Sequence, residues 1–194
     1  QAYLITSSVP QMVRTWVMTY FAAYMIESYG WDEANTAPGL ALLGVGAVIG
    51  SFAGGLIAGR ARRLDWLAAI SLAGGVVAGL LFALGASAWI VVAMAFVASV
   101  LVSVSMPVLL TLIMHLAGQS RGTAGGMFAT SNQVGGVAGA SAGGLMLSLG
   151  GFPAVGLLCL AATVLSASVV GLRMRRSPAF QLGGAGTSEP IPNH

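Results

Sequence analysis

Apolar residues run almost unbroken along this chain, and polar ones gather in a few short clusters between the runs. A membrane-spanning helix needs about 20 apolar residues at roughly 1.5 Å each. That criterion predicts six spans, near residues 12–28, 39–59, 66–86, 88–117, 123–149 and 152–172. Residues 29–38 carry Asp32, Glu33 and Asn35 and read as a linker, as do RARRLD at 60–65 and the segment 118–122 with Arg121. Ser87 and the pair Gly150 and Gly151 mark tight turns. Residues 1–11 read as a remnant or linker of a longer chain, 12–175 as a six-helix bundle, and 176–194 as a disordered tail rich in Gly, Pro and Ser. No basic stretch with a cleavage site precedes the first apolar run.

Composition leads to the same class. Hydrophobic residues make up 57% of the 194 positions and charged ones 7%, against about a quarter in soluble domains. So few charges cannot cover a globular surface, and the expected setting is a lipid bilayer. The net charge of +3 comes from eight arginines and no lysine. The arginines flank apolar runs instead of forming a basic face, which argues against nucleic acid. Alternating the six spans puts seven of the eight arginines on one side, and Arg14 opens the first helix from that side. Glu27, Asp32 and Glu33 fall on the other. The arginine bias makes the first side cytoplasmic, so both ends of the segment are expected there, in an inner cell membrane. A single cysteine, Cys159, excludes a disulfide framework, and no metal site or cofactor is expected.

Two stretches repeat. VGAVIGSFAGGLI at 45–57 matches VGGVAGASAGGLM at 134–146 at eight of thirteen positions, at a constant offset of 89 residues. They occupy the middle helix of each triplet of spans and run in opposite directions. The expected fold is therefore all-α, two inverted three-helix repeats, a plan typical of secondary transporters. Gly46, Gly50 and Gly54 recur every four residues, as do Gly135, Gly139 and Gly143. Such seams let helix backbones approach closely in lipid. The second stretch also contains Gly139-Ala140-Ser141-Ala142-Gly143, which fits the G-x-S-x-G pattern of serine hydrolases. Ser141 stands where the first copy has Phe52, and His115 lies turns away along its span, so the glycines read as packing and no catalytic residue is assigned.

Residues 106–147, MPVLLTLIMHLAGQSRGTAGGMFATSNQVGGVAGASAGGLML, resemble the tenth and eleventh helices of the major facilitator superfamily. GLIAGRARR at 55–63 is similar to that family's cytoplasmic loop signature, with Gly55, Ala58, Arg60, Arg62 and Arg63 fitting if one residue is missing. Gly59 stands at the signature's acidic position. The resemblance implies the C-terminal six-helix half of a transporter, paired with a missing N-terminal half or a second copy. It implies that helices 1 and 4 line a cavity, that 2 and 5 face the other half, and that 3 and 6 stand outside. Drug or sugar efflux driven by a proton gradient is likewise implied by resemblance alone.

Candidate working residues follow. Ser99, Ser103, Pro107, Thr111 and His115 are spaced four apart on helix 4. They form either a cavity wall kinked at Pro107 or hydroxyls bonded to their own backbone. Asn132 and Gln133 are amides that are costly in lipid unless partnered; they line a cavity or bond a neighbour. Arg14 binds an anionic group or snorkels to lipid phosphate. Trp16 and Tyr20 stack on a substrate or pack. Glu27 and His115 are the candidates for coupling protons, or else solvated interface residues. The expected function is a secondary transporter for a small neutral or lipophilic solute. The alternatives are a six-helix assembly or lipid-binding subunit without transport, and an intramembrane hydrolase built on Ser141.

Overall fold

A computed structural model describes residues 2–58 and 64–174 of the chain. The described residues form five α-helices and one 3-10 turn, with no strand among them. The helices are α1 (Ala2–Tyr29), α2 (Glu33–Ala58), α3 (Leu64–Ala83), α4 (Ala88–Ala117) and α5 (Arg121–Met174). Three helical stretches, Glu33–Ala58, Ala88–His115 and Gly118–Leu165, are long and apolar enough to cross a membrane. The tail at 176–194 and Arg60, Arg62 and Arg63 of the loop signature lie outside the described residues.

Two boundaries differ from the sequence reading. α1 starts at Ala2, so residues 2–11 are helical and continuous with the first apolar run. α2 starts at Glu33, inside the expected linker. Asp32 sets that start: its carboxylate accepts from the Asn35 N–H at 2.7 Å, and its carbonyl accepts from the Thr36 N–H and hydroxyl. This is side-chain capping of orphan helix donors. It outweighs Pro38, whose ring the helix accommodates in its early turns.

α5 breaks at Gly150 and Gly151, where the backbone leaves helical geometry; Gly151 takes φ 67°, a conformation that favours glycine. The two arms, 121–149 and 152–174, run in opposite directions. The first lies parallel to α1, since Gly139 meets Met12 and Gly143 meets Trp16 and Tyr20. The second lies antiparallel to α3, since Gly156 meets Gly79 and Phe82, while Gly75 meets Thr163.

The glycines set which helices touch. On α2, a Cβ added to Gly46 would lie 3.1 Å from the Phe96 carbonyl, one added to Gly50 2.2 Å from the Val100 carbonyl, and one added to Gly54 2.3 Å from the Val104 carbonyl. The Pro107 ring fills the notch at Gly54. α2 thus lies backbone-to-backbone along α4, in parallel. On α5, Gly139 and Gly143 take Met12, Trp16 and Tyr20 of α1, and Gly135 is buried. The seams face into the bundle instead of outward toward a second half. The outward faces of α2 and the first α5 arm are apolar and exposed, with Val48, Phe52 and Leu56 on one and Val134, Val137 and Leu149 on the other. A third stripe, Gly74, Gly75 and Gly79 on α3, receives Leu101 and Val102 of α4 and Thr163 and Leu160 of α5.

The core is aromatic toward one end of the bundle. Trp16, Phe21, Phe82 and Met25 are fully enclosed. Tyr24 packs edge-on against Tyr29 and Phe82, and Phe82 stacks on Phe152. The Tyr29 hydroxyl donates to the Ala86 carbonyl, tying the end of α1 to the α3–α4 turn.

Candidate functional site

The residues marked in the sequence divide into three groups. The first locks helices together. Trp16, fully buried, donates its indole N–H to the Gly139 carbonyl at 2.6 Å. Tyr20 donates its hydroxyl to the Ala140 carbonyl at 2.7 Å. Both bonds run from α1 to the small-residue stretch of α5, where missing side chains leave carbonyls within reach. Ser99 is also buried and donates across helices, to the Leu43 carbonyl of α2 at 2.7 Å. Trp16, Tyr20 and Ser99 therefore face protein instead of an open cavity.

The second group lies along α4 and the first α5 arm: Asn132 faces Met106, whereas Ser103 and Pro107 pack against Gly50 and Gly54 of α2. Asn132 is half-buried, and its amide nitrogen donates to Met106 Sδ at 3.8 Å. Its Oδ1 is buried and has no hydrogen-bond partner. One turn along the same α5 face, a Cβ on Gly136 would lie 3.6 Å from Thr15 Oγ1 of α1. Thr15, half-buried, donates to the Gln11 carbonyl at 2.9 Å. On α4, Ser103 is buried with its hydroxyl unpartnered. Pro107, four residues on, lacks the N–H that would have met the Ser103 carbonyl. Thr111 bonds the Pro107 carbonyl of its own helix at 2.8 Å. Thr15 escaped the sequence reading, because its residue type carries no signal until a neighbouring helix is in place.

The third group stands apart. Gln133 is exposed although it is next to Asn132. Glu27 and His115 are exposed and belong to opposite ends of the bundle. Arg14 is half-buried on α1. Gly55 is exposed with open space around it, and Ala58 is half-buried. Ser141 is exposed on the outer face of α5 and donates to the Val137 carbonyl of its own helix at 3.0 Å. No group of three or more His, Cys, Asp or Glu side chains is arranged to hold a metal among the described residues.

An apolar helical bundle with an under-satisfied amide at a three-helix junction suits solute binding better than covalent chemistry. The comparison with protein families decides the lineage: the family model described as Major Facilitator Superfamily matches residues 4–191. The chain belongs to the major facilitator superfamily. No curated protein and no solved structure matches it. Superfamily members are transporters rather than enzymes, and they handle small molecules in a membrane. This facilitator chain is accordingly a multi-pass membrane protein of that transporter type.

Proposed function

We propose that the chain crosses the membrane six times, as two inverted three-helix repeats, and works as half of a secondary active transporter. The other half would be an N-terminal six-helix unit or a second copy, seated on the exposed apolar faces of α2 and the first α5 arm. The reciprocal glycine pairing supports the repeat: the middle helix of each triplet lies along the first helix of the other. A two-fold relation between triplets produces that exchange. The arginine distribution supports an inner membrane with both segment ends cytoplasmic.

The solute reading rests on one observation. Asn132 offers a buried, unpartnered acceptor at the junction of α1, α4 and α5. An orphaned acceptor in an apolar site costs about 1–3 kcal/mol unless a ligand supplies a donor. The few charges inside the apolar helices favour a small neutral or lipophilic solute with a hydrogen-bond donor. Transport would proceed by alternating access and efflux against protons. Among the marked residues, coupling falls on Glu27 or His115.

The test uses energised membrane vesicles and a panel of uncharged lipophilic dyes, with the pH gradient imposed and then collapsed. Gradient-dependent accumulation that Asn132→Leu lowers about tenfold, with folded protein retained, supports the proposal. Accumulation no greater than in vesicles lacking the protein overturns it. Equal transport by Asn132→Leu removes Asn132 from the binding site.

A further inference from the structure

The described tryptophans differ in what their indole N–H meets. Trp16 is enclosed and bonds the Gly139 carbonyl. Trp31 and Trp89 pack edge to face, with centroids 5.7 Å apart and ring planes at 66°. Neither indole N–H of that pair has a partner among the described residues. Trp89 is 75% exposed, and Trp31 is half-buried. An indole is a large apolar body with a single donor. A buried one finds its acceptor in the protein, as Trp16 does; an exposed one must find it in the surroundings.

The position of the pair identifies those surroundings. α2 and α4 are both long and apolar enough to cross a membrane, and their apolar spans begin at Glu33 and Ala88. Trp31 stands just before the first span, and Trp89 is in the first turn of the second. α2 lies parallel to α4, so both spans begin on one side, and the ring contact holds their ends at one level. The side chains change character through that level. Asp32 and Glu33, next to Trp31, are charged and exposed. The stretch 84–90 around Trp89, LGASAWI, has no charge, and its Leu84 and Ile90 are exposed. Ser87 gives α4 no side-chain cap, so the first N–H groups of that helix are open as well. An apolar turn rich in free donors, set beside charges, matches the layer of a bilayer where acyl chains meet ester carbonyls and phosphates. The acyl interior would leave the donors unpaired, and bulk water would leave Leu84, Trp89 and Ile90 wet. This surface belongs to the α3–α4 turn, apart from the α2 and α5 faces proposed to seat the other half.

The geometry points to a lipid-docking surface: Trp31, Trp89 and the α3–α4 turn seat in the ester and phosphate layer of one phospholipid leaflet, with their N–H groups donating to lipid oxygens. The bilayer surface then lies at the starts of α2 and α4, with Asp32 and Glu33 in water and Ile90 among the acyl chains. The partner is lipid and not solute, so the surface stands whether or not Asn132 binds one.

The test places the full chain in phospholipid discs and compares its tryptophan emission with that of Trp89→Phe; the difference belongs to Trp89. Trp89 is exposed, so the substitution is compatible with folding, which circular dichroism checks. The lipids carry bromine near the carbonyl end of the acyl chain or near its methyl end, and acrylamide is the quencher in water. Bromine near the carbonyl end is expected to quench the Trp89 emission about twofold more than bromine near the methyl end, and more than acrylamide does. Trp31→Phe should give the same order of quenchers, because the two rings share one level. Stronger quenching from the methyl end overturns the proposal by placing Trp89 in the acyl interior. Stronger quenching by acrylamide overturns it by placing Trp89 in water or an aqueous cavity, and protection from all three quenchers by placing it against protein.

Discussion

Gly50→Ala isolates the contact on which the α2–α4 pair depends. The added Cβ would lie 2.2 Å from the Val100 carbonyl oxygen and 3.0 Å from Ser103 Cβ. The first distance is more than an ångström inside the usual contact of roughly 3.5 Å. The obstructing atom is backbone, so no rotamer change relieves it and the two helices must separate. Overpacking of this kind costs about 1–3 kcal/mol. Alanine also gains about 0.5–1 kcal/mol over glycine inside a helix. Gly44→Ala removes that second effect from the comparison, because Gly44 is in the same helix with nothing within 4 Å of its added Cβ. The difference between the two variants is then the overpacking alone, about 1–3 kcal/mol. For a chain of this length that corresponds to roughly 2–12 °C in unfolding temperature. The assay is thermal and SDS-driven unfolding of the purified chain in mixed micelles, followed by circular dichroism. Gly44→Ala should be neutral or stabilising and Gly50→Ala clearly destabilising. Equal stability of the two would refute the close α2–α4 approach.

Further substitutions examine the buried hydroxyls and the thiol. Ser99→Ala removes a buried interhelical hydrogen bond and should cost about 0.6 kcal/mol, up to about 1.7. Ser103→Ala removes an unpartnered hydroxyl on the same helix and should be neutral or stabilising; SDS titration of the pair checks both, and reversed signs would contradict the geometry. Trp16→Phe keeps the ring but loses the bond to Gly139, with an expected loss of about 0.5–1.5 kcal/mol in the same titration. Cys159 is fully buried, so its thiol should resist maleimide until the protein unfolds and should then react in step with the loss of ellipticity. Prompt labelling of the folded protein would place α3 and the second α5 arm farther apart than described.

Helix existence was largely legible because apolar runs and their stops are local. α4 runs from Ala88 to Ala117, the limits read from the sequence, since Ser87 precedes it and Gly118, with φ 53°, ends it. The break at Gly150 and Gly151 was legible for the same reason. The start of α2 was not, because Pro38 is a conspicuous stop and the Asp32 cap is visible only once its bond to Asn35 forms. Spacing four apart identified the glycine faces but not the helices they meet, because those neighbours come from distant parts of the chain. For the candidate site, Asn132 was legible as a polar residue in an apolar run. Its partner Met106 and its neighbour Thr15 come from other helices. The aromatic cluster had no sequence signal at all: Tyr24, Phe82 and Phe152 are ordinary apolar positions until three helices bring them together.

The bonds from Trp16 and Tyr20 to Gly139 and Ala140 span 123 and 120 residues of chain. A ribosome adds roughly 5–20 residues per second, so about 6–25 s separate the synthesis of donor and acceptor. Through that interval α1 is in place before the carbonyls its indole and phenol require. Trp16 and Tyr20 must meanwhile be accommodated by lipid headgroups, water or the insertion machinery. Assembly of this bundle is therefore set by the arrival of its fifth helix, and a pause in translation before residue 139 would leave the first helix as the exposed, recognisable sign of an unfinished protein.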